Sequence, residues 1–333
     1  MKLHTTLFFA AIIMAGCAHN NSNPTGKQSS SGKTQEVILA IDKHYYVGEA
    51  QHVLDSLLRT TQEGLPQPEP LFSVVVIPTS SLKNTQMFQM QRNIVFCDID
   101  TANAGKLYIH RDQWAAPQVV IDIAAKSPAD LQRLVRLHAQ RIVDELFNAE
   151  HRRIEKAFYA NRNTELMSEM RHQLGFQLTL PNDFQVAKKD DGLMWVRKET
   201  KDFSLNILMH TEPYKEQRQF ASTRVLNRYD TLMRRNMPGP IEGSYLGTER
   251  RLDIQQRIVN VKESAHSLES RGLWRTFGDF NGGSFVAYSL LSPDKRTVAD
   301  IIAMVYCPRS DKYSKRDLLM QLEGICHSIT WNN

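Results

Sequence analysis

Phe176-Gln177-Leu178-Thr179-Leu180-Pro181-Asn182-Asp183-Phe184-Gln185-Val186-Ala187-Lys188-Lys189-Asp190-Asp191-Gly192-Leu193-Met194-Trp195-Val196 is where the chain changes character. Asp191-Gly192 is a strong hairpin turn, because Asp and Gly reach the positive φ angles that a tight turn between twisted strands demands. The spacing predicts strands at Phe176 to Leu180, Phe184 to Ala187 and Leu193 to Val196, with Pro181-Asn182 as a turn. Immediately upstream the period is helical. Ser127-Pro128-Ala129-Asp130 supplies a serine N-cap, a proline at the first helical position and an acid at the positive end. Leu131, Leu134, Val135, Ile142, Val143, Leu146 and Phe147 form a wide apolar stripe, continued by Ile154, Phe158, Leu166 and Met170 to about Leu174. Gly175 stops it. A domain boundary is expected there.

Downstream of the hairpin a strand is expected at Phe203 to Met209. A helix follows, carrying Phe220, Val225, Leu226, Tyr229 and Met233 and ended by Pro238-Gly239-Pro240. Strands resume at Tyr245 to Glu249 and Ile254 to Val261. Arg271 to Phe280, Ser284 to Leu291 and Val298 to Tyr306 read as a meander, with Asn281-Gly282-Gly283 and Pro293-Asp294 as its turns. Leu318, Leu319, Leu322, Ile325 and Cys326 mark a last amphipathic helix. In the first half, strands are expected at Val37 to Ile41, Phe72 to Ile77, Asn93 to Ile99, Lys106 to His110 and Val119 to Ala124, with a helix over Val47 to Leu58. Strands mixed with segregated helices predict an α+β fold in two domains, 36–174 and 175–333, each a mainly antiparallel sheet with packed helices.

A chain of 333 residues is long for one core, so two domains are also the expectation from size. The 41 basic residues against 36 acidic give +5, spread along the chain without a basic tail or stripe, which argues against a nucleic-acid binder. Beyond Cys17 three cysteines remain, Cys97, Cys307 and Cys326. They are expected to be buried thiols acting as small hydrophobes. A Cys307–Cys326 bridge is doubtful, since the cysteines fall at far ends of a strand and a helix and a bridge needs Cα atoms within about 7 Å.

The start of the chain carries its own signal. Lys2 is followed by the apolar run Leu7 to Met14, too short for the ~20 residues that span a bilayer. Met14-Ala15-Gly16-Cys17 resembles a bacterial lipobox, with Met where Leu is preferred. The resemblance implies removal of residues 1–16 and acylation of Cys17; two or more acyl chains anchor a protein stably. An ordinary secretory signal cut near Ala15 or Ala18 is the other reading of these residues. Ala18 after the cysteine, and no acidic cluster, imply the periplasmic face of an outer membrane. Residues 17–35, rich in Asn, Ser, Gly, Lys and Gln, read as the lipidated cysteine and a flexible tether.

Leu65-Pro66-Gln67-Pro68-Glu69-Pro70-Leu71-Phe72, Arg92-Asn93-Ile94, Trp114 to Gln118, Phe176 to Pro181 with Trp195-Val196-Arg197-Lys198, Arg271-Gly272-Leu273-Trp274, and Asp279-Phe280 with Gly282-Gly283 to Tyr288 resemble the Bacteroidota lipoproteins grouped as domain of unknown function 4837. Ser284 stands where proline is expected. The resemblance implies no activity, ligand or catalytic residue. The order of elements in the second half also resembles the PsbP-type α/β/α sandwich, whose members are mostly binding or assembly modules; fold does not fix function.

The motifs of common chemistries are missing. There is no His-Glu-x-x-His or Cys-x-x-Cys for a metal, no Gly-x-Ser-x-Gly elbow and no phosphate loop. His138 reads as a core or boundary histidine. Glu150 and His151 are adjacent and so point in different directions on a helix. No catalytic residue, metal or cofactor is expected. The candidate recognition surface is Arg271, Trp274, Gly282, Gly283 and Trp114, since Arg and Trp are enriched in binding hot spots; packing of Trp274 in the core, with Arg271 solvated at a strand edge, is the competing reading. Pro66 to Pro70 reads as a rigid connection or a docking strip. The expectation is a lipid-anchored envelope protein, non-catalytic, that binds or helps assemble an envelope protein or glycan. The alternatives are an envelope hydrolase with a non-local carboxylate pair about 5–9.5 Å apart and a carrier of a small apolar ligand.

Overall fold

The computed structural model describes residues 26–309 and 311–332. The signal segment, Cys17 and the first part of the tether lie outside the described residues. The first domain comprises β1 (Glu36–Ala40), α1 (Gly48–Leu58), β2 (Ser73–Ile77), α2 (Thr79–Asn84), α3 (Gln86–Gln89), β3 (Asn93–Ile99), β4 (Lys106–Arg111), β5 (Val119–Ala125), α4 (Pro128–Leu137) and α5 (Ala139–Ala160). Its strands pair in the order β2-β1-β3-β5-β4. All neighbours are parallel except β4, which runs antiparallel to β5. The α+β, two-domain organisation stands, but the expectation of a mainly antiparallel sheet is corrected for this half. Helices return the chain in the same direction between β1 and β2 and between β2 and β3, and the antiparallel β4 does so between β3 and β5. Strands covered on both faces then read as continuous apolar runs instead of alternating ones. Val37, Leu39 and Ile121 pack under α1, α4 and α5, while Ile38, Ala40 and Val120 pack toward α2 and α3.

α4 starts as the sequence predicts, with Ser127 Oγ accepting the Asp130 N–H at 3.2 Å. The single long helix expected to Leu174 is three. The path breaks at His138 and again at Asn161, and α6 (Thr164–Leu174) begins afresh with Asn163 Oδ1 accepting the Leu166 N–H at 3.0 Å. Leu166, Met167, Met170 and Leu174 of α6 are buried in the core of the second domain. The boundary therefore lies near residue 162; Gly175, with φ 74°, only caps the helix.

The second domain continues with β6 (Phe176–Gln177), β7 (Gln185–Asp190), β8 (Leu193–Glu199), β9 (Ser204–Pro213), α7 (Ser222–Asn236), β10 (Tyr245–Thr248), β11 (Gln255–Ile258), β12 (His266–Phe277), β13 (Gly282–Leu291), β14 (Thr297–Tyr306), α8 (Lys315–His327) and β15 (Thr330–Trp331). Its large sheet runs β10-β12-β13-β14-β9-β8-β7, with β11 also on β12, and is antiparallel throughout. β6 pairs with β15, outside that sheet. α6 and α8 cover one face and α7 the other, giving helix, sheet, helix layers. Asp191-Gly192 makes the β7–β8 turn, with Gly192 at φ 63°.

The end of the tether is docked. Ser31 donates its N–H to Met90 O at 2.8 Å and accepts from the Arg92 N–H at 2.9 Å, and Gln35 is buried. A polar segment can be held by backbone hydrogen bonds that composition does not report, so the tether predicted through residue 35 ends near Gln28. The two domains meet along α8. α5 lies against it closely enough that a Cβ on Gly324 would stand 2.6 Å from Ile154 Cγ2. The proline-rich connection clamps the start of α8: Glu69 accepts from Ser314 Oγ at 2.5 Å and from the Lys315 N–H at 3.0 Å, and Pro70 O accepts from Arg316 Nη1 at 2.8 Å. An acid at a helix N-terminus meets its unpaired N–H groups and its dipole.

Candidate functional site

β12 positions its side chains with a period of two. Glu269 and Arg271 therefore share the face toward α8, while Trp274 points to the opposite face, under α7. The expected recognition surface does not assemble. Trp274 is buried, with Nε1 donating to Val305 O at 3.1 Å. Gly282 and Gly283 are strand residues of β13, not the turn that was expected. Gly283 is needed for close approach, since a Cβ there would lie 2.1 Å from Val305 O and 3.0 Å from Trp274 Nε1. Trp114 packs on the separate cluster of Ile38 and Leu82 in the first domain. Of the five residues Arg271 lines a cleft between the domains, and it is buried, not solvated at an edge.

That cavity is a cleft of about 900 Å³ between the domains. Leu57, Thr60 and Gln62 from the end of α1 and the loop after it form one wall with Val143, Phe147 and His151 of α5. Arg257 and Ile258 of β11, Glu269 and Arg271 of β12, and Glu323 and His327 of α8 form the other. Gly64, at φ +76°, lets the loop lie on β12: a Cβ would come 3.0 Å from the Gly272 N.

The floor is an ion network. Arg271 donates from Nε and Nη2 to the two oxygens of Glu269, at 2.7 and 3.1 Å, and from Nη1 to Glu323 Oε1 at 2.8 Å. Arg257 adds a bond to Glu269 at 2.8 Å, and Tyr288 OH donates to Glu269 at 3.1 Å. Burial alone would raise the Glu269 carboxyl, but the charge of Arg271 and its hydrogen bonds outweigh it and hold Glu269 below the usual carboxylate range. Burial is likewise overcome at Glu323, which Arg271 and His151 keep well below that range. His151 stacks on His327 with ring centroids 4.2 Å apart. Burial, with His151 beside it, pushes the His327 imidazole well below its usual range.

These groups attract cations and accept hydrogen bonds. They do not supply a general acid, because a glycosidase-type acid needs a raised pKa, and here both carboxyls are held ionised. Among the described residues no group of three or more His, Cys, Asp or Glu side chains is placed to hold a metal ion. Cys97, Cys307 and Cys326 are free and buried, as expected. Among the described residues no helix is long and apolar enough to cross a membrane.

Glu150 and His151 do point apart. Glu150 accepts from Asn93 Nδ2 at 2.8 Å within the first domain, while His151 faces α8. His138 is a part-buried residue at the α4–α5 junction. Sequence reasoning missed Glu269, Glu323 and the role of His151. One signal was present: Glu323 lies on the apolar stripe of Leu319, Leu322 and Cys326, where a solvated acid has no place.

Residues 163–328 match a family model described as domain of unknown function (DUF4837), and residues 30–159 match one described as domain of unknown function (DUF8532). The two matches divide where α5 gives way to α6. The blocks at Leu65 to Phe72, Arg92 to Ile94 and Trp114 to Gln118 fall in the DUF8532 match, ahead of the DUF4837 one. A search of the curated proteins found no match.

Proposed function

We propose that this chain, which belongs through residues 163–328 to the family described as domain of unknown function 4837, is a non-catalytic binding module of the cell envelope that takes its ligand between its two domains. The observation that carries the reading is the interdomain cleft: about 900 Å³, walled by both domains, with a buried ion network as its floor. Ligand sites favour domain interfaces and occupy some 300–1,000 Å³, with a few placed polar groups among apolar walls. The charged floor speaks against a carrier of purely apolar ligands, since such a ligand would desolvate the carboxylates without pairing them. The ionised state of both carboxylates speaks against a hydrolase built on that pair. The lipobox-like Met14 to Cys17 supports a lipid anchor, facing the periplasm from an outer membrane in a Bacteroidota-type envelope.

The test is crosslinking in cells from a photoreactive residue at position 143, on the cleft wall. Position 108, exposed on the edge strand of the first domain, serves as control. A discrete adduct from 143 and none from 108 is expected. Identical background from both positions would refute a cleft-bound ligand. Cys17→Ser is expected to move the protein from the membrane fraction to the soluble one.

A further inference from the structure

Resting on the reading of the cleft as a binding site, we infer that its occupant presents a cationic nitrogen, an ammonium on an aliphatic stem, to Glu323 and His151. Glu323 is fully buried, and its oxygens differ: Oε1 accepts from Arg271, whereas among the described residues Oε2 has no hydrogen-bond partner. His151 is 8 % exposed, and among the described residues neither of its ring nitrogens makes a hydrogen bond; what faces it is the Glu323 carboxylate. Its Nε2 lies 3.5 Å from the open Glu323 oxygen. Buried polar groups are almost always hydrogen-bonded, so a carboxylate oxygen whose nearest counterpart is an imidazole at the long distance of 3.5 Å, both lining one cleft, marks where a further donor belongs.

Charge identifies the donor. The fully buried floor holds two carboxylates against one guanidinium, and Arg257, the cation that completes the balance, sits at the rim with its side chain 54 % exposed. Glu63 and Asp144 add two more acids to the cleft lining. An anionic ligand is repelled by this distribution. A hydroxyl pairs one acceptor and leaves the excess charge uncompensated. An ammonium has three donors, enough for the Glu323 oxygen and an imidazole nitrogen together, and offsets the charge. Val143 and Phe147 line the approach with apolar surface that suits a methylene stem.

Three probes of equal chain length separate the possibilities on the full chain: cadaverine, pentane-1,5-diol and glutarate, titrated by calorimetry at neutral pH. Cadaverine is expected to bind at least about tenfold more tightly than the diol, as charge-assisted hydrogen bonds do over neutral ones, and glutarate not at all. Glu323→Gln is expected to remove the preference for cadaverine. Val143, which makes no bond to the ion network, lines the cleft wall, and Val143→Trp is expected to fill the cleft and abolish binding of both. A diol that binds as well as cadaverine overturns the ammonium while leaving the cleft a binding site. Failure of cadaverine to bind also overturns it. Binding undisturbed by Val143→Trp places the site elsewhere and overturns the cleft reading as well. The probe series and Val143→Trp decide the matter even if Glu323→Gln does not fold.

Discussion

Arg271→Met removes the one cation that both buried carboxylates share. Three hydrogen bonds are lost, two to Glu269 and one to Glu323. Glu323 and Glu269 are 0 % and 3 % exposed, so water cannot replace the guanidinium. Breaking a buried ion pair from one side costs about 3–5 kcal/mol, chiefly because it leaves an uncompensated charge. The loss depends on pH in a definite direction. In the native protein both carboxyls are depressed, so their contribution is present above the unfolded value near ~4.3 and disappears as pH falls through the lower folded values. In Arg271→Met the carboxyls keep only the part-exposed Arg257 and the His151 imidazole beside them, so burial is expected to push both up, and the variant becomes less stable as pH rises through that range. The gap between the two proteins is therefore widest at neutral pH and narrows toward about pH 4. Urea unfolding followed by tryptophan fluorescence measures it, with Trp274 and Trp331 buried in the same domain as the network. A loss under about 1 kcal/mol at neutral pH, typical of a solvated pair, would refute the reasoning. So would a loss that does not change with pH. Replacing the whole network in Glu269→Leu, Arg271→Met, Glu323→Leu is expected to recover most of the stability, since apolar residues often substitute for a buried ion group without penalty.

Gly324→Ala puts a methyl group 2.6 Å from Ile154 Cγ2 at the seam of α5 and α8, and overpacking of this kind costs about 1–3 kcal/mol. A second change, Ile154→Ala, is expected to restore much of it, read as a recovery of the urea midpoint; no recovery would mean that the seam is not the cause. Gly283→Ala meets a backbone oxygen, Val305 O, at 2.1 Å, which cannot step aside as a side chain does. Its cost is expected to exceed that of Gly324→Ala, with faster hydrogen exchange along β13 and β14; a midpoint near that of the unchanged protein would contradict the close approach.

Much of the chain's local structure was legible because its causes are local. Ser127 and Pro128 begin a helix through groups within one turn of each other. Asp191-Gly192 closes a hairpin through the positive φ of Gly192. The apolar stripe of α8 and the meander of β12 to β14 follow from the periods of the residues that compose them. Strand direction in the first domain was less legible, because Val37 to Ile41 is equally apolar in either sense, and only the crossovers choose the parallel one. The border at Gly175 misled for a related reason: a left-handed glycine ends a helix whatever that helix packs against, and α6 packs with the residues that follow it.

The candidate site depended still more on the folded chain. Arg271 was singled out beside Trp274, three residues along the same strand, yet alternation sends the two side chains to opposite faces of the sheet. The partners of Arg271 are two residues and 52 residues distant. The histidine next to Glu323 comes from the other domain, on α5. Sequence alone determined most of the elements, the presence of two domains and the burial of Cys97, Cys307 and Cys326, because propensity, capping and period act over a few residues. Tertiary structure decided which charges meet. A carboxylate stays ionised in a dry interior only where its counter-charge arrives with it, and here the docking of α8 against β12 and α5 brings the two together.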